Sequence, residues 1–144
     1  METSEFNIET MIAEILVDSS IQNDIVYRKG DAVSGAAMDF GGAVCVLSSR
    51  PFTGVKRDLG RFAIHTVCNE MAACGARPAT VSVQILVPHG TGEGDVRHVL
   101  EQIKESCALL RVQIVSAHGE YSNDVRSMLL NCTITGKCWK TDLV

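Results

Sequence analysis

The sequence predicts an α+β domain of two layers, in which an N-terminal helix precedes the order strand, helix, strand, helix, strand, strand. Three observations carry that expectation. Three stretches place apolar residues at helical spacing, two others alternate apolar with polar residues, and glycine and proline punctuate the joins.

Ile8, Met11, Ile12, Ile15 and Leu16 recur every three or four positions, and Asp18, Ser19 and Ser20 give a polar exit, so a first helix is expected over 7–18. Residues 22–42 hold Gly30, Gly35, Gly41 and Gly42 with Asp24, Asp31 and Asp39, a density of turn formers that predicts a loop with short extended pieces. Ala43 to Ser49 is apolar and β-branched and is closed by Arg50 and Pro51, which fits a buried strand. Asp58 can cap a second helix whose Leu59, Phe62, Ala63, Val67 and Met71 share a face, with Gly75 placed to end it.

From Thr80 to Ile85 the alternation is strict, giving a strand with one apolar side. After the turn HGTGEG, Val96, Val99, Leu100, Ile103, Cys107 and Leu110 define a long amphipathic helix, followed by a short strand from Val112 to Val115. The last strand is expected from Ser127 to Gly136. The core then spans 43–137 within a single domain, 1–144. Both long helices can cover one face of the sheet. The other face mixes Thr80, Ser82, Gln84, Asn131, Thr133 and Thr135 with Leu129, Leu47 and Cys45, too apolar for open solvent and too polar for a core. A homodimer is predicted on that ground.

The 144 residues, 46% apolar, suffice for one core, and a net charge of -4 offers no field to phosphate backbones, so nucleic acid is not an expected partner. No run approaches the ~20 apolar residues of a membrane span, and METSEFNIETM is acidic where a signal peptide is basic, so a cytoplasmic protein without membrane attachment is expected. Six cysteines stand singly in apolar segments with no CxxC pair, and they read as small buried hydrophobes before they read as metal ligands.

Three segments could carry chemistry. KGDAVSGAAMDFGG offers glycines for close phosphate approach and carboxylates for magnesium, or is a surface turn cluster; GGAV is not a GxGxxG, and no P-loop is present. Asn69 and Glu70 form a polar pair inside the second helix, with His65 one turn earlier either serving the same site or simply packed. SAHGEYSND gathers His118, Glu120 and Asp124 beside a glycine in what reads as a loop between strands, without reproducing an HExxH spacing.

LGRFAIHTVCNEMAACGARPATVSVQILVP resembles the helix, turn and strand of the aminoimidazole-ribonucleotide (AIR) synthetase superfamily, which includes the hydrogenase-maturation carbamoyl dehydratase, thiamine-monophosphate kinase and selenophosphate synthetase. The pattern GRxAVHxxxNDxAAMGARP is followed at Gly60, Arg61, Ala63, His65, Asn69, Ala72, Ala73, Gly75, Ala76, Arg77 and Pro78. GAAMDFGGAVCVLSSRPFTG is similar to DAAVxDxGGxxLVxSTDPFT, and VQIVSAHGEYSNDV to VxIVGGHTEVTPGV. The likeness runs from about Gly30 to Lys137 and is nearest the hydrogenase-maturation or archaeal synthetase-related branch.

The resemblance implies an N-terminal domain whose sheet pairs with a twofold mate into a barrel, binding ATP and magnesium near the subunit boundary. It offers Arg50, Asn69, Glu70, His118 and Glu120 to the nucleotide, and Glu70 and Glu120 to the metal. It also implies a second domain, which this chain is expected to lack and which a separate polypeptide could supply. Two carboxylates of the pattern are replaced, one by Gly35 and one by Arg50, a cation that would repel magnesium and contact phosphate directly. The expectation is therefore an ATP-binding, dimerising module that is not a complete enzyme. The alternative is a non-catalytic dimeric scaffold or regulatory binding protein without ATP binding.

Overall fold

A computed structural model describes residues 5–16, 25–28, 35–39, 41–54 and 57–139. Its elements are α1 (Ile8–Leu16), β1 (Ile25–Arg28), β2 (Gly35–Asp39), β3 (Val44–Phe52), α2 (Leu59–Ala73), β4 (Arg77–Pro88), α3 (Glu93–Leu110), β5 (Gln113–Ser122) and β6 (Leu129–Cys138). The strands form one mixed sheet in the order β1-β2-β3-β6-β4-β5. Among the described neighbouring pairs only β4 and β5 are parallel, and α3 supplies the crossover that such a pair needs. The α+β, two-layer class is as the sequence predicts.

Alternation decides which face each strand buries. Val44 and Val46 of β3, Val81, Val83, Ile85 and Val87 of β4, and Leu130, Cys132 and Ile134 of β6 are all buried. They meet Ile64, Val67 and Met71 of α2 and Val99, Ile103 and Cys107 of α3, so both helices cover the same face. Each such side chain contributes about 1.5–3 kcal/mol on leaving water. In α1, Asn7 Oδ1 accepts from the Thr10 amide at 3.0 Å, but the helix buries no residue, and Ile8, Met11, Ile15 and Leu16 remain exposed.

The structure corrects several boundaries. The stretch 22–42, expected as a loop with short extended pieces, contributes two such pieces, β1 and β2, an antiparallel pair that extends the sheet beyond β3. Arg50 and Pro51 do not close β3 but lie inside it. Proline is tolerated there because, among the described residues, the pairing of β2 with β3 reaches only as far as Ser48 of β3. The strand expected to end at Val115 runs to Ser122, so His118 and Glu120 sit within β5, not in a loop. The last strand begins and ends two residues later than expected, and the predicted helix end at Asp18 lies outside the described residues.

Asp58 does not cap α2 with its side chain. Its Oδ1 accepts instead from Arg61 Nη1 at 2.9 Å. The Arg61 amide donates to Oε1 of Gln102, at 3.3 Å, from the neighbouring helix. Gln102 is only 3% exposed, and its Nε2 donates to the Arg57 carbonyl at 2.8 Å, so one buried amide ties α3 to the start of α2. Replacing it leaves those groups unpaired in a dry place. Gln102→Leu is expected to cost about 2 kcal/mol, read as a lower urea midpoint at unchanged slope.

The buried thiols behave as the sequence expects. Burial raises Cys68, pushes Cys107 up to about 11 with help from Cys68, and pushes Cys132 up to about 12 with help from both. In the unfolded chain they ionise near their ordinary value of 9.0, so their neutral-form preference is fully present below that pH. As pH rises from 9.0 through the folded values it is lost. The urea midpoint should therefore be lower at alkaline pH than at neutral pH, and a Cys107→Ala, Cys132→Ala variant should flatten that dependence.

Candidate nucleotide site

The two halves of the sequence-predicted site stand on opposite faces of the sheet. Arg50 pairs in register with buried Cys132, so it points to the helix side. There its Nη1 contacts Glu70 Oε1 in an exposed ion pair, and its guanidinium lies 5.2 Å from the centroid of the Phe52 ring. Phe52 in turn meets Phe62 edge-on, with ring centroids 5.9 Å apart, fixing the floor beneath the arginine. Asn69 is exposed beside Glu70 on α2, and His65, a turn away, is half-buried.

His118 pairs in register with Gln84, on the face away from the helices. Its Nε2 lies 3.4 Å from Glu120 Oε1, both side chains being mostly exposed. Asp124, grouped with them in the sequence, follows β5 and lends its amide to Ser122 Oγ at 3.0 Å. Within one chain, then, the structure joins Arg50 to Glu70, with Asn69 the preceding residue of α2, and joins His118 to Glu120, but it does not bring the two groups to one place.

Between them the outer face carries a polar ladder. Ser49 and Thr133 share a hydrogen bond of 2.8 Å, Thr80 and Thr135 one of 2.5 Å, and Ser82 and Ser116 one of 2.7 Å. Asn131 Nδ2 donates to Gln84 Oε1 at 3.0 Å and to Ser49 Oγ at 3.3 Å. Cys45, Leu47 and Leu129 are half-buried on the same face, opposite the one that α2 and α3 cover. The sequence showed this face by alternation; it could not show that its hydroxyls satisfy one another across strands.

The described residues form no preassembled metal centre. Among the described residues no three His, Cys, Asp or Glu side chains stand close enough to hold a metal. Glu70 is committed to Arg50, and Glu120 stands against His118.

Such a molecule is a two-layer α+β domain that buries one sheet face under two helices and lines the other with paired hydroxyls and amides. The chain belongs to the family described as AIR synthase related protein, N-terminal domain, whose pattern matches residues 32–138. Over 74 residues it is 26% identical to a Methanocaldococcus jannaschii protein named for hydrogenase expression/formation, covering 51% of this chain and 22% of that one. Its fold is similar to that of ThiL complexed with AMPPCP and TMP, at 14% identity and a TM-score of 0.71, covering 92% of this chain and 41% of that one. It is also similar to the hydrogenase maturation protein HypE in complex with ATP, at 22% identity and a TM-score of 0.62, covering 70% and 32%. The chain thus spans less than half the length of each of these three proteins. No helix among the described residues is long and apolar enough to cross a membrane.

Proposed function

We propose that this chain is the nucleotide-binding and dimerising module of an AIR synthase-related system, recognising ATP without turning it over alone. The observation that carries the reading is that the family match spans 32–138, taking in both the Arg50–Glu70 pair and the His118–Glu120 strand. Solved relatives of the same fold hold AMPPCP or ATP. In this reading a second copy packs on the outer face, the two sheets close into a barrel, and a nucleotide contacts Arg50, Asn69, Glu70, His118 and Glu120. The two clusters, apart within one chain, would then be contributed by different copies. The acceptor and the group-transfer machinery belong to a further domain or polypeptide. The setting is the cytoplasm, and no nucleic acid or membrane takes part.

Light scattering followed by calorimetric titration of ATP, with and without magnesium, tests the proposal. Saturable binding to a dimer is expected, and a Thr133→Arg change, which sets a cation in the middle of the outer face, should yield monomers that keep their helical circular dichroism. A clean dimer that ignores ATP would leave the second reading, a non-catalytic scaffold. One observation favours that reading: at Arg50 and Glu70 the charges cancel each other, leaving little net attraction for either magnesium or phosphate.

A further inference from the structure

Where β3, β4 and β5 end and β6 begins, the connections ahead of α2, ahead of α3 and ahead of β6 surround a cleft of about 590 Å³. Its floor is apolar, formed by Leu59, Pro88 and Met128. Arg57, Arg126 and His89 line it against a single carboxylate, Asp95. Among the described residues neither the Arg57 nor the Arg126 guanidinium has an ion pair or hydrogen bond, whereas nearby Arg61 is already matched to Asp58 at 2.9 Å.

The walls are held in place by groups the nucleotide reading does not use. The Arg57 carbonyl accepts from Gln102 Nε2 at 2.8 Å and lies 2.9 Å from His98 Nε2, fixing the backbone that carries the guanidinium. The His89 ring stacks on Tyr121, with centroids 5.3 Å apart and planes at 19°. Between them Gly90, at φ +89°, has nothing within 4 Å of where a Cβ would stand, so the turn presents open backbone. Two uncommitted guanidiniums above an apolar floor suit a dianionic head on a small apolar body, because each planar fork can give paired hydrogen bonds to phosphate oxygens.

We propose that this cleft binds a small organic phosphate, its phosphate taken by Arg57 and Arg126 and its body resting on Leu59 and Met128. None of Arg50, Asn69, Glu70, His118 and Glu120 lines the cleft, so the proposal stands or falls apart from the nucleotide reading.

The test uses the full chain, labelled with nitrogen-15 and titrated with phenyl phosphate, benzoate and phenol while the amides of Gly90, Thr91 and Met128 are followed. Saturable shifts with phenyl phosphate are expected, with benzoate about tenfold weaker because a monoanion satisfies one guanidinium. The double variant Arg57→Ser, Arg126→Ser should weaken phenyl phosphate by about tenfold or more, whereas Arg50→Ser should leave it unchanged. Both arginines are exposed, so the fold survives their loss, and the undisturbed amides of β6 verify it. Equal response to phenol, full affinity in the double variant, loss in Arg50→Ser, or no saturable shift at those amides would each overturn the proposal.

Discussion

Gly60→Val is expected to unfold this domain more readily than any surface change, by about 3 kcal/mol or more and a fall in melting temperature of roughly 10 °C. A Cβ at Gly60 would stand 2.5 Å from the Val99 carbonyl oxygen and 3.0 Å from Gln102 Cβ, so α2 and α3 touch where the side chain is missing. Backbone oxygen cannot swing aside as a side-chain tip can, so the helices themselves must part. They would also part from the Gln102 hydrogen bonds that tie them together. Gly136 is a second such place, with Met71 Sδ at 2.6 Å and the Arg77 carbonyl oxygen at 2.8 Å from its would-be Cβ. As a control, Gly94 sits in α3 with nothing within 4 Å, and Gly94→Ala should stabilise by about 0.5–1 kcal/mol through a stiffer unfolded chain. Thermal melts of the two variants decide the matter: equal small effects would mean that the helices do not meet at Gly60.

The second large effect concerns the nucleotide. Asn69→Ala with Glu70→Ala is expected to abolish ATP binding while moving the melting temperature by no more than about 4 °C, since Asn69 is exposed and Glu70 makes only a surface ion pair. Calorimetry of the double variant beside the unaltered chain measures it, and undiminished binding would remove these residues from the site. Glu70→Gln alone adds a sign. If Glu70 contacts the nucleotide or its metal, affinity falls; if it chiefly holds Arg50 back from phosphate, affinity rises.

Most of the frame was legible because burial selects residues. α2, α3, β4 and β6 each bury one side, and periodicity marks the side that is buried. β5 was foreseen only at its start, up to Val115, because it buries almost nothing: its residues from Gln113 to Tyr121 are exposed, and pairing to β4 carries it on to Ser122. β2 was hidden by composition. Gly35, Ala36 and Ala37 look like turn material, yet Ala37 is fully buried and the small side chains simply lie flat beside β3. The cap supplied by Gln102 could not be read locally, since donor and acceptor are 41 residues apart.

The site was legible only in pieces. Motif likeness pointed to Arg50, Asn69, Glu70, His118 and Glu120, but only the register shows that the first three and the last two look in opposite directions. The cleft at the sheet's end had no signature, because Arg57, His89 and Arg126 come from three connections and are neighbours only once the strands are ordered.

That ordering also governs how the chain must be born. β6 is the last strand in sequence yet stands between β3 and β4. A ribosome releasing the chain from its N-terminus delivers the three described helices and five strands whose centre is still missing. Until about residue 138 has cleared the exit tunnel, β3 and β4 each wait with one bare edge, and α2 lacks β6, the strand it packs on most, having only β3 and β4 beneath it. Stalled or truncated chains lacking 129–138 should therefore be the species that chaperones hold and that aggregate, whatever the finished protein binds.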